Sequence, residues 1–302
     1  MMRIVVFTDD PGWHGARLQE AFAARGCTTT FVSLAQCSLR LRTGEPRIRL
    51  PGFTGGLPDA AFVRGVSTGT LEEVVFRLDL LHALDAMGVA VYNDGRAIER
   101  SVDKSLTSFL LAQAGLATPS TLVTAVRSEA EAHVVRECAR GRMSVCKPLF
   151  GSQGKGVMRI AGPEDLPGPA MVNGVWYLQR FVASAVSGAA DWRLFVIGGR
   201  VVAAMRRSTP GWLTNVAQGG LCQAALPGQE VRALAEGAVE VLRMEYAGVD
   251  LMQDGDGRWW VLEVNSIPAW RGLQSVASVD IAGLLADDLL RICRGGRSRE
   301  AV

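Results

Sequence analysis

The chain has 302 residues, of which 48% are hydrophobic and 21% are charged, and its formal net charge is +2 at pH 7. These values are typical of a globular protein, and they exclude a disordered chain and give no electrostatic signature of nucleic-acid binding. The six cysteines show no C-x-x-C spacing, which favours reduced thiols over disulfides or a zinc site. No apolar run suits a signal peptide or a membrane span, so we expect a cytoplasmic protein without a membrane partner.

Residues 1–95 are predicted to form a doubly wound α/β unit. Strand and helix candidates alternate along this region with short connections: Arg3 to Thr8 (strand), Arg17 to Arg25 (helix), Phe31-Val32 and Phe62-Val63 (strands), Leu71 to Met87 (helix) and Val89 to Tyr92 (strand). Such alternation is typical of a parallel sheet covered by helices. Residues 40–58 contain three prolines and several glycines, which predict a loop or a ragged hairpin inside the unit.

The rest of the chain is predicted to divide into two further parts. Residues 96–174 form the first, with these candidates: a helix from Ala97 to Ala114, a strand near Thr121, a helix from Glu129 to Arg140 and a strand at Ser144 to Lys147. Residues 175–302 form the second, with mostly antiparallel strands and helices from Glu230 to Met244 and from Ile281 to Cys293. The fold class is therefore mixed α/β, with a parallel unit first and antiparallel strands later.

Two short apolar strands near the C-terminus carry the strongest chemical signal. Glu263 and Asn265 lie two residues apart on one strand, so both project from the same face. Residues 246–252 form a preceding strand, and the turn at residues 254–257 can set Asp250 beside them as a hairpin. Three hard oxygen ligands without His or Cys suit Mg²⁺ that holds nucleotide phosphates. The alternative is an edge hairpin whose polar residues face water.

A glycine-rich loop follows the strand that ends at Lys147. It runs from Pro148 to Gly156, and it departs from a P-loop because a strand, Val157 to Ile160, follows it rather than a helix. The glycines can let the loop fold its backbone N–H groups over phosphates, and Lys147 would point its ammonium at the same phosphates. The candidate loop residues are Ser152, Gln153, Gly154 and Gly156. A plain glycine-rich turn is the alternative.

Two weaker motifs add to these. Lys104 follows Asp103 early on a predicted helix, where on its own it would be a solvated lysine. The extended apolar segment from Val175 to Val182 includes Gln179, Arg180 and Phe181, and it could offer backbone groups to the edge of an adenine. By itself the segment is an ordinary buried strand.

Taken in order, these motifs resemble the ATP-grasp superfamily, specifically its RimK-like branch of α-L-glutamate ligases. The resemblance runs from about Ser101 to Leu290. It rests on the ordered set Asp103-Lys104, Lys147-Pro148 with the glycine-rich loop, Gln179 to Val182, Asp191-Trp192-Arg193, Val202 to Arg207, Asn215 with Gly219-Gly220, Ala247 to Asp250, Leu262 to Asn265 and Asp280 to Gly283. Each motif alone is weak, whereas the ordered set is specific.

The resemblance implies a Rossmann-like domain that precedes a two-part ATP-grasp domain, and it implies roles for single residues. Lys104 and Lys147 fall at phosphate-binding positions, and Arg180 to Val182 at the adenine position. Asp191 falls at a nucleotide-contacting position. Asp250, Glu263 and Asn265 fall at the positions that hold Mg²⁺, for which Mn²⁺ is a possible substitute. Nucleotide binding is also expected at Gln179 and Asn215, together with the loop residues named above.

Three arginines on strands near the expected site carry charge that suits phosphates or substrate carboxylates. Arg193 and Arg206 are the predicted catalytic residues. Surface ion pairing is the alternative for each of them, and for Arg207 the two interpretations have equal weight.

The sequence also departs from the family pattern. Arg180 stands where many relatives carry Glu, and Leu213-Thr214 stand where they carry Arg-Ser, so a cationic contact is lost. After Asn265, the stretch Ser266 to Arg271 replaces the usual Ser/Ala-Pro-Gly in an element that shapes the acceptor pocket in the family. Trp270 is predicted to stack on an acceptor and Arg271 to hold a carboxylate. The alternative is that Trp270 packs into the core and Arg271 is solvated.

The expected function is that of an ATP- and Mg²⁺-dependent carboxylate–amine ligase that forms an amide through an acyl phosphate. The resemblance implies L-glutamate as the added amino acid. It implies a carboxylate acceptor such as a tetrahydromethanopterin-type coenzyme or a protein C-terminus. A small-molecule kinase and a non-catalytic nucleotide-binding regulator on the same fold are the alternatives.

Overall fold

The computed structural model describes residues 1–45, 47–151, 154–185, 189–212, 214 and 220–295. Among them, no helix combines the length and the apolar character that crossing a membrane requires. The predicted nucleotide-binding residues Ser152, Gln153 and Asn215, and Leu213 and Gly219 beside the last of these, lie outside the described residues.

The N-terminal region forms the predicted doubly wound unit around a four-stranded parallel sheet. Its strands, in the spatial order β2-β1-β5-β6, are β1 (Arg3–Phe7), β2 (Thr28–Val32), β5 (Ala60–Val63) and β6 (Ala90–Tyr92). The helices α1 (Gly12–Ala23) and α2 (Leu71–Ala86) follow β1 and β5 in the chain. β5 is buried along its whole length, as expected for a parallel strand with both faces covered. The predicted ragged hairpin is a small antiparallel pair, β3 (Ser38–Arg40) with β4 (Arg47–Arg49).

The single helix predicted from Ala97 to Ala114 is wrong, because the structure has two. These are α3 (Gly95–Val102) and α4 (Lys104–Gln113). Asp103 separates them with an extended backbone, and its carboxylate accepts from the N–H groups of Ser105 and Leu106 as the N-cap of α4. The break places Lys104 at the first position of a helix instead of in the middle of one.

The central sheet has four antiparallel strands and is covered by one helix. In the spatial order β7-β10-β8-β9, its strands are β7 (Thr121–Thr124), β10 (Trp176–Arg180), β8 (Ser144–Lys147) and β9 (Met158–Ile160), and the helix is α5 (Arg127–Ala139). The predicted boundary at residue 174 would assign β10 to the C-terminal part, yet β10 pairs with β7 and β8. We propose that the boundary lies after Arg180.

The C-terminal sheet has five strands and carries most of the predicted site. In the spatial order β13-β12-β11-β14-β15, they are β13 (Leu221–Ala224), β12 (Arg200–Thr209), β11 (Ala189–Ile197), β14 (Tyr246–Gln253) and β15 (Trp259–Asn265). The remaining helices are α6 (Gln229–Val241), α7 (Arg271–Gln274) and α8 (Ile281–Gly295). In β14 and β15, Asp250 lies opposite Glu263 and Gly248 opposite Asn265. The predicted hairpin thus sets Asp250 beside Glu263.

A shared hydrophobic core fixes the N-terminal sheet against the C-terminal sheet. One cluster joins Ile4, Leu18 and Phe62 of the N-terminal unit to Phe195 of β11 and Leu285 of α8. The other face of the C-terminal sheet packs on α6 through a separate cluster. Because interiors are packed as densely as organic crystals, the carboxyl ends of β1 and β5 hold a fixed position near the β14–β15 hairpin.

Candidate nucleotide and ligase site

A cavity of about 130 Å³ lies between the central and C-terminal sheets. The described residues that were predicted to bind nucleotide or metal and that line this cavity are Lys104, Lys147, Gly154, Gln179, Arg180, Phe181, Val182, Asp191, Asp250 and Glu263. They come from α4, both sheets and the loop after β8, so residues as far apart in the chain as Lys104 and Glu263 meet there. The predicted site residues Arg193, Arg206, Gly156, Asn265, Trp270 and Arg271 are not part of the lining.

Two lysines supply positive charge to this cavity. The Lys147 ammonium donates to the Gln179 carboxamide oxygen at 2.7 Å, and the Lys104 ammonium donates to the Gly151 carbonyl at 2.8 Å. The Glu263 carboxylate lies 4.0 Å from Lys104. Burial lowers the pKa of both lysines, although Glu263 acts in the opposite direction on each. Cations that bond mainly to neutral oxygens carry charge that a phosphate can neutralise.

The segment predicted to contact adenine lies along one wall. The N–H of Arg180 donates to the Ser120 carbonyl at 2.8 Å, and the N–H of Phe181 donates to the Met143 carbonyl at 2.9 Å. These two N–H donors are therefore occupied. The edge of an adenine would have to bind to Val182 and to carbonyl oxygens of this segment. The Arg180 guanidinium lies 4.4 Å from the centre of the Trp260 ring, a cation–π distance.

Four charged side chains alternate in sign beside the lysines. Arg207 binds both carboxylate oxygens of Asp191 at 2.7 and 2.5 Å, and Arg193 binds both oxygens of Asp250 at 2.6 Å. Arg207 also reaches Asp250 at 3.0 Å, which joins the two pairs. The Thr214 hydroxyl donates to Asp191 at 2.6 Å. Bidentate pairs of this kind fix both partners in one geometry.

The two arginines determine the charge state of Asp250. Burial alone would raise the pKa of this carboxyl group, but Arg193 and Arg207 outweigh burial and lower the pKa to about 2. For Arg207, burial acts to lower the pKa, and the neighbouring Asp250 and Asp191 carboxylates raise it above its ordinary value. Asp250 is thus an anion at neutral pH, which a metal ligand must be.

The structure does not place Arg206, one of the predicted catalytic residues, at the cavity. In the β11–β12 pairing Arg206 lies opposite Trp192, whereas Arg207 lies opposite Asp191. Neighbouring residues of a strand point to opposite faces, so Arg206 points toward the face covered by α6 and Arg207 toward the cavity. The sequence contained no signal that distinguished Arg206 from Arg207, because the strand register determines which of them faces the cavity.

The residues predicted to hold Mg²⁺ fit such an ion when phosphates supply its other ligands. Asp250 and Glu263 are cross-strand neighbours, and Asn265 shares a strand face with Glu263. The Asn265 amide nitrogen is buried and has no partner among the described residues. The described residues contain no group of three or more His, Cys, Asp or Glu that could hold a metal. Mg²⁺ commonly takes one or two carboxylates plus substrate phosphates, and this donor set matches that pattern.

The glycine-rich loop joins β8 to β9, as predicted, and two of its glycines have left-handed backbones. Gly154 has φ +70° and Gly156 has φ +71°. A Cβ atom on Gly156 would also lie 3.0 Å from the Pro148 ring. Side chains are therefore disfavoured at both positions. At Gly154, which lines the cavity, this leaves the backbone facing the cavity.

The structure places the two predicted acceptor-binding residues differently from each other. Trp270 is fully buried in the core shared by the two sheets, so its ring offers no face to an acceptor, and the alternative of core packing is correct. Arg271 is exposed at the first position of α7. The Pro268 carbonyl beside them accepts from Arg64 at 2.9 Å. Sequence reasoning missed Arg64, although an arginine directly after an all-apolar strand was a signal.

Comparison with known proteins agrees with this geometry. Residues 101–289 match the model of the RimK-like ATP-grasp domain, and residues 2–98 match the RimK PreATP-grasp domain. The chain therefore belongs to the RimK-like ATP-grasp family, whose relatives are ATP-dependent α-L-glutamate ligases that form C–N bonds.

Similar proteins include a tetrahydromethanopterin:α-L-glutamate ligase of Methanococcus maripaludis. It is 33% identical over 240 residues, which cover 78% of this chain and 80% of that protein. Among solved structures, a RimK domain ATP-grasp protein of Sphaerobacter thermophilus superposes with a TM-score of 0.70 and 25% identity, over 95% of this chain and 99% of that one. The ATP-grasp ligase PsnB, in complex with minimal precursor, Mg and ADP, gives a TM-score of 0.72 at 23% identity, over 96% and 98% of the two chains.

Proposed function

We propose that this protein joins the amino group of L-glutamate to a carboxylate acceptor, with ATP as the source of energy. The observation that carries the proposal is the meeting of Lys104, Lys147, Asp250 and Glu263 at one cavity. Two cations suit the phosphates of a nucleotide, and two anions suit a divalent metal ion between them. The family membership supports the same chemistry.

The residues have distinct parts in that reaction. Lys104 and Lys147 would bind phosphate oxygens and neutralise charge that develops on the transferring group. Asp250, Glu263 and Asn265 would hold Mg²⁺, or Mn²⁺ in its place, and a bound ion would supply charge that polarises a phosphoryl group. Arg193 and Arg207 keep Asp250 ionised and oriented before any ligand arrives. Arg193 is thus proposed as a positioning residue.

The bond changes account for the need for ATP. A carboxylate is a poor acyl donor, since its leaving group would be an oxide or a hydroxide. Phosphorylation of the acceptor carboxylate gives an acyl phosphate and ADP. Attack by the glutamate amine on the acyl carbon then forms the amide, releases phosphate and leaves one proton for a base or for water.

The acceptor is proposed by class only. The name of the M. maripaludis relative specifies tetrahydromethanopterin, while another complex of PsnB contains a precursor peptide. The buried position of Trp270 is not compatible with the predicted stacking of its ring on an acceptor. A carboxylate-bearing coenzyme and a peptide C-terminus are therefore the acceptors to test.

Product analysis with a panel of acceptors tests the proposal. Purified protein is incubated with ATP, Mg²⁺, L-glutamate and each acceptor, and ADP, AMP, phosphate and pyrophosphate are measured. ADP and phosphate in a 1:1 ratio with the amide are expected. AMP in stoichiometry with the amide would exclude an acyl phosphate.

Hydroxylamine separates a ligase from a kinase. An activated carboxylate reacts with hydroxylamine to give a hydroxamate, so the ligase should form this product with its acceptor when glutamate is left out. A kinase that phosphorylates a hydroxyl group gives ADP without hydroxamate. ADP formation that depends on the acceptor but yields no hydroxamate would contradict the ligase assignment.

A further inference from the structure

The carboxyl ends of β1 and β5 meet where the parallel sheet reverses its order. β2 lies on one side of β1 and β5 on the other. In open α/β sheets, ligands bind in the crevice outside the carboxyl ends of the strands at such a reversal. Arg64 is the first residue after β5, and its N–H donates to the carbonyl of Phe7, the last residue of β1, at 2.8 Å. Its side chain therefore begins at this crevice.

Among the described residues, the Arg64 guanidinium has only neutral partners. It donates to the Pro268 carbonyl at 2.9 Å and lies 4.7 Å from the centre of the Trp270 ring. The Tyr246 phenol is its other polar neighbour, and no carboxylate among the described residues pairs with it. Burial lowers the pKa of Arg64. Because removing a cation from water without an anion is unfavourable, this arrangement suits a ligand that brings the missing negative charge.

The surroundings of Arg64 add positive charge and an unused donor. Arg271, exposed at the first position of α7, carries a second positive charge, and both arginines act on His14. Burial first, and then these two charges, lower the pKa of His14 to about 4, so the imidazole is neutral and accepts from the Trp270 N–H at 3.1 Å. The Trp270 indole nitrogen is buried and has no acceptor among the described residues.

A short chain of contacts connects this crevice to the metal-binding residues. Arg64 bonds to Pro268, and Pro268 packs on Gly248, where an added Cβ atom would lie 2.9 Å from the Pro268 Cβ. The same Cβ position is 3.6 Å from Cδ of Arg193, which binds Asp250. Pro268, Gly248 and Arg193 thus connect Arg64 to Asp250 as successive neighbours.

We propose that Arg64, assisted by Arg271, binds a substrate carboxylate that is not phosphorylated in the reaction. This inference rests on the proposed function, because an amide ligase for glutamate has such carboxylates to hold. They come from two sources: the incoming amino acid, whose two carboxylates both stay free, and the acceptor, when it carries a second acidic group. A fixed guanidinium suits a carboxylate through two parallel hydrogen bonds.

Binding measurements on matched variants test the inference. The variants are Arg64→Met, which keeps an apolar stem over the Trp270 ring, Arg64→Lys, which keeps the charge, and the control Arg200→Met, whose parent side chain is 83% exposed. Calorimetry in the presence of ADP and Mg²⁺ measures the affinity for L-glutamate and for its α-amide. A glutamate-terminated peptide and its C-terminal amide serve as the acceptor probes.

We expect Arg64→Met to weaken binding of at least one acid probe by about 10- to 100-fold, the range for a hydrogen bond to a charged group. Affinity for the matching amide and for ADP should change less than twofold, and Arg64→Lys should recover part of the loss. Loss of glutamate binding assigns the site to the amino acid, and loss of peptide binding assigns it to the acceptor.

Three results would overturn the inference. They are equal affinities of wild type and Arg64→Met for every acid probe, equal losses for acid and amide, and a wild type that prefers no acid probe over its amide. Failure of the proposed function is visible separately, since it shows as the absence of hydroxamate and of coupled ADP and phosphate in the wild type.

Discussion

The arginines of the C-terminal sheet, Arg193 and Arg207, have surroundings of opposite character to those of Arg64 in the N-terminal unit. Arg193 and Arg207 each bind an aspartate through two hydrogen bonds, and together they form a closed network with Asp191 and Asp250. Arg64 contacts a carbonyl and two aromatic residues instead. The first group has its counter-charges inside the protein, whereas the second would receive one from a ligand.

The presence or absence of a carboxylate partner determines what the loss of each arginine affects. A paired arginine stabilises the folded state only as part of its pair, and losing one partner leaves a buried charge behind. An arginine with neutral partners can be replaced at lower structural cost, but its loss affects whatever anion it binds. Changes in the closed network should therefore reduce stability, and changes around Arg64 should reduce substrate selectivity.

The largest effect is expected for Arg207→Met. This change leaves Asp191 and Asp250 without a shared cation, and breaking a buried ion pair typically lowers the free energy of unfolding by about 3–5 kcal/mol. Chemical denaturation measures the change. The control is Arg206→Met, on the opposite face of the same strand, which should cost less than about 1 kcal/mol. Equal losses for the two variants would contradict the strand register described here.

Asp250→Asn should lower turnover by about a thousandfold, which corresponds to roughly 4 kcal/mol, because the metal loses an anionic ligand. Far-ultraviolet circular dichroism should show that the fold persists. The rate of hydroxamate formation, measured without glutamate, reports the activation of the acceptor carboxylate in this variant. Near-normal turnover in this variant and in Glu263→Gln would remove the metal role from the hairpin.

Lys147→Met should raise the nucleotide KM and lower kcat, with a combined loss in kcat/KM of about 10- to 100-fold, since the ammonium would contact phosphate in the ground and transition states. Lys155 also borders the cavity, but its side chain is exposed, so Lys155→Met should have a smaller effect. An unchanged ATP affinity in Lys147→Met would leave the loop after β8 as an ordinary turn.

The smallest effect concerns His14, beside Arg64. Its pKa in the folded protein is about 4, below the ordinary 6.5, so the unfolded chain binds a proton that the folded chain does not. The stability that depends on neutral His14 is therefore present above pH 6.5 and is lost as the pH falls toward 4. For a half-buried group we expect about 1–2 kcal/mol, visible as a difference between wild type and His14→Gln. Parallel stability curves for the two proteins between pH 4 and 6.5 would contradict this cause.

Local patterns predicted much of the architecture. The alternation of apolar strands and helices predicted the parallel unit. The turn at residues 254–257 predicted the hairpin that sets Asp250 beside Glu263. Lys147 was predicted correctly at the end of β8 and at the cavity. The N-cap at Asp103 escaped prediction, although an Asp before a helix-forming stretch is a known start signal.

The sequence by itself determined which chemical groups this protein carries and which of them share a strand, because strand periodicity is a local property. Only the tertiary structure decided which face of β12 meets the cavity, that Trp270 is buried, and that Arg64 approaches Pro268 across 204 positions of chain. These outcomes depend on strand register and on the packing of two sheets around one core. Both are set by contacts between distant segments, which no local pattern encodes.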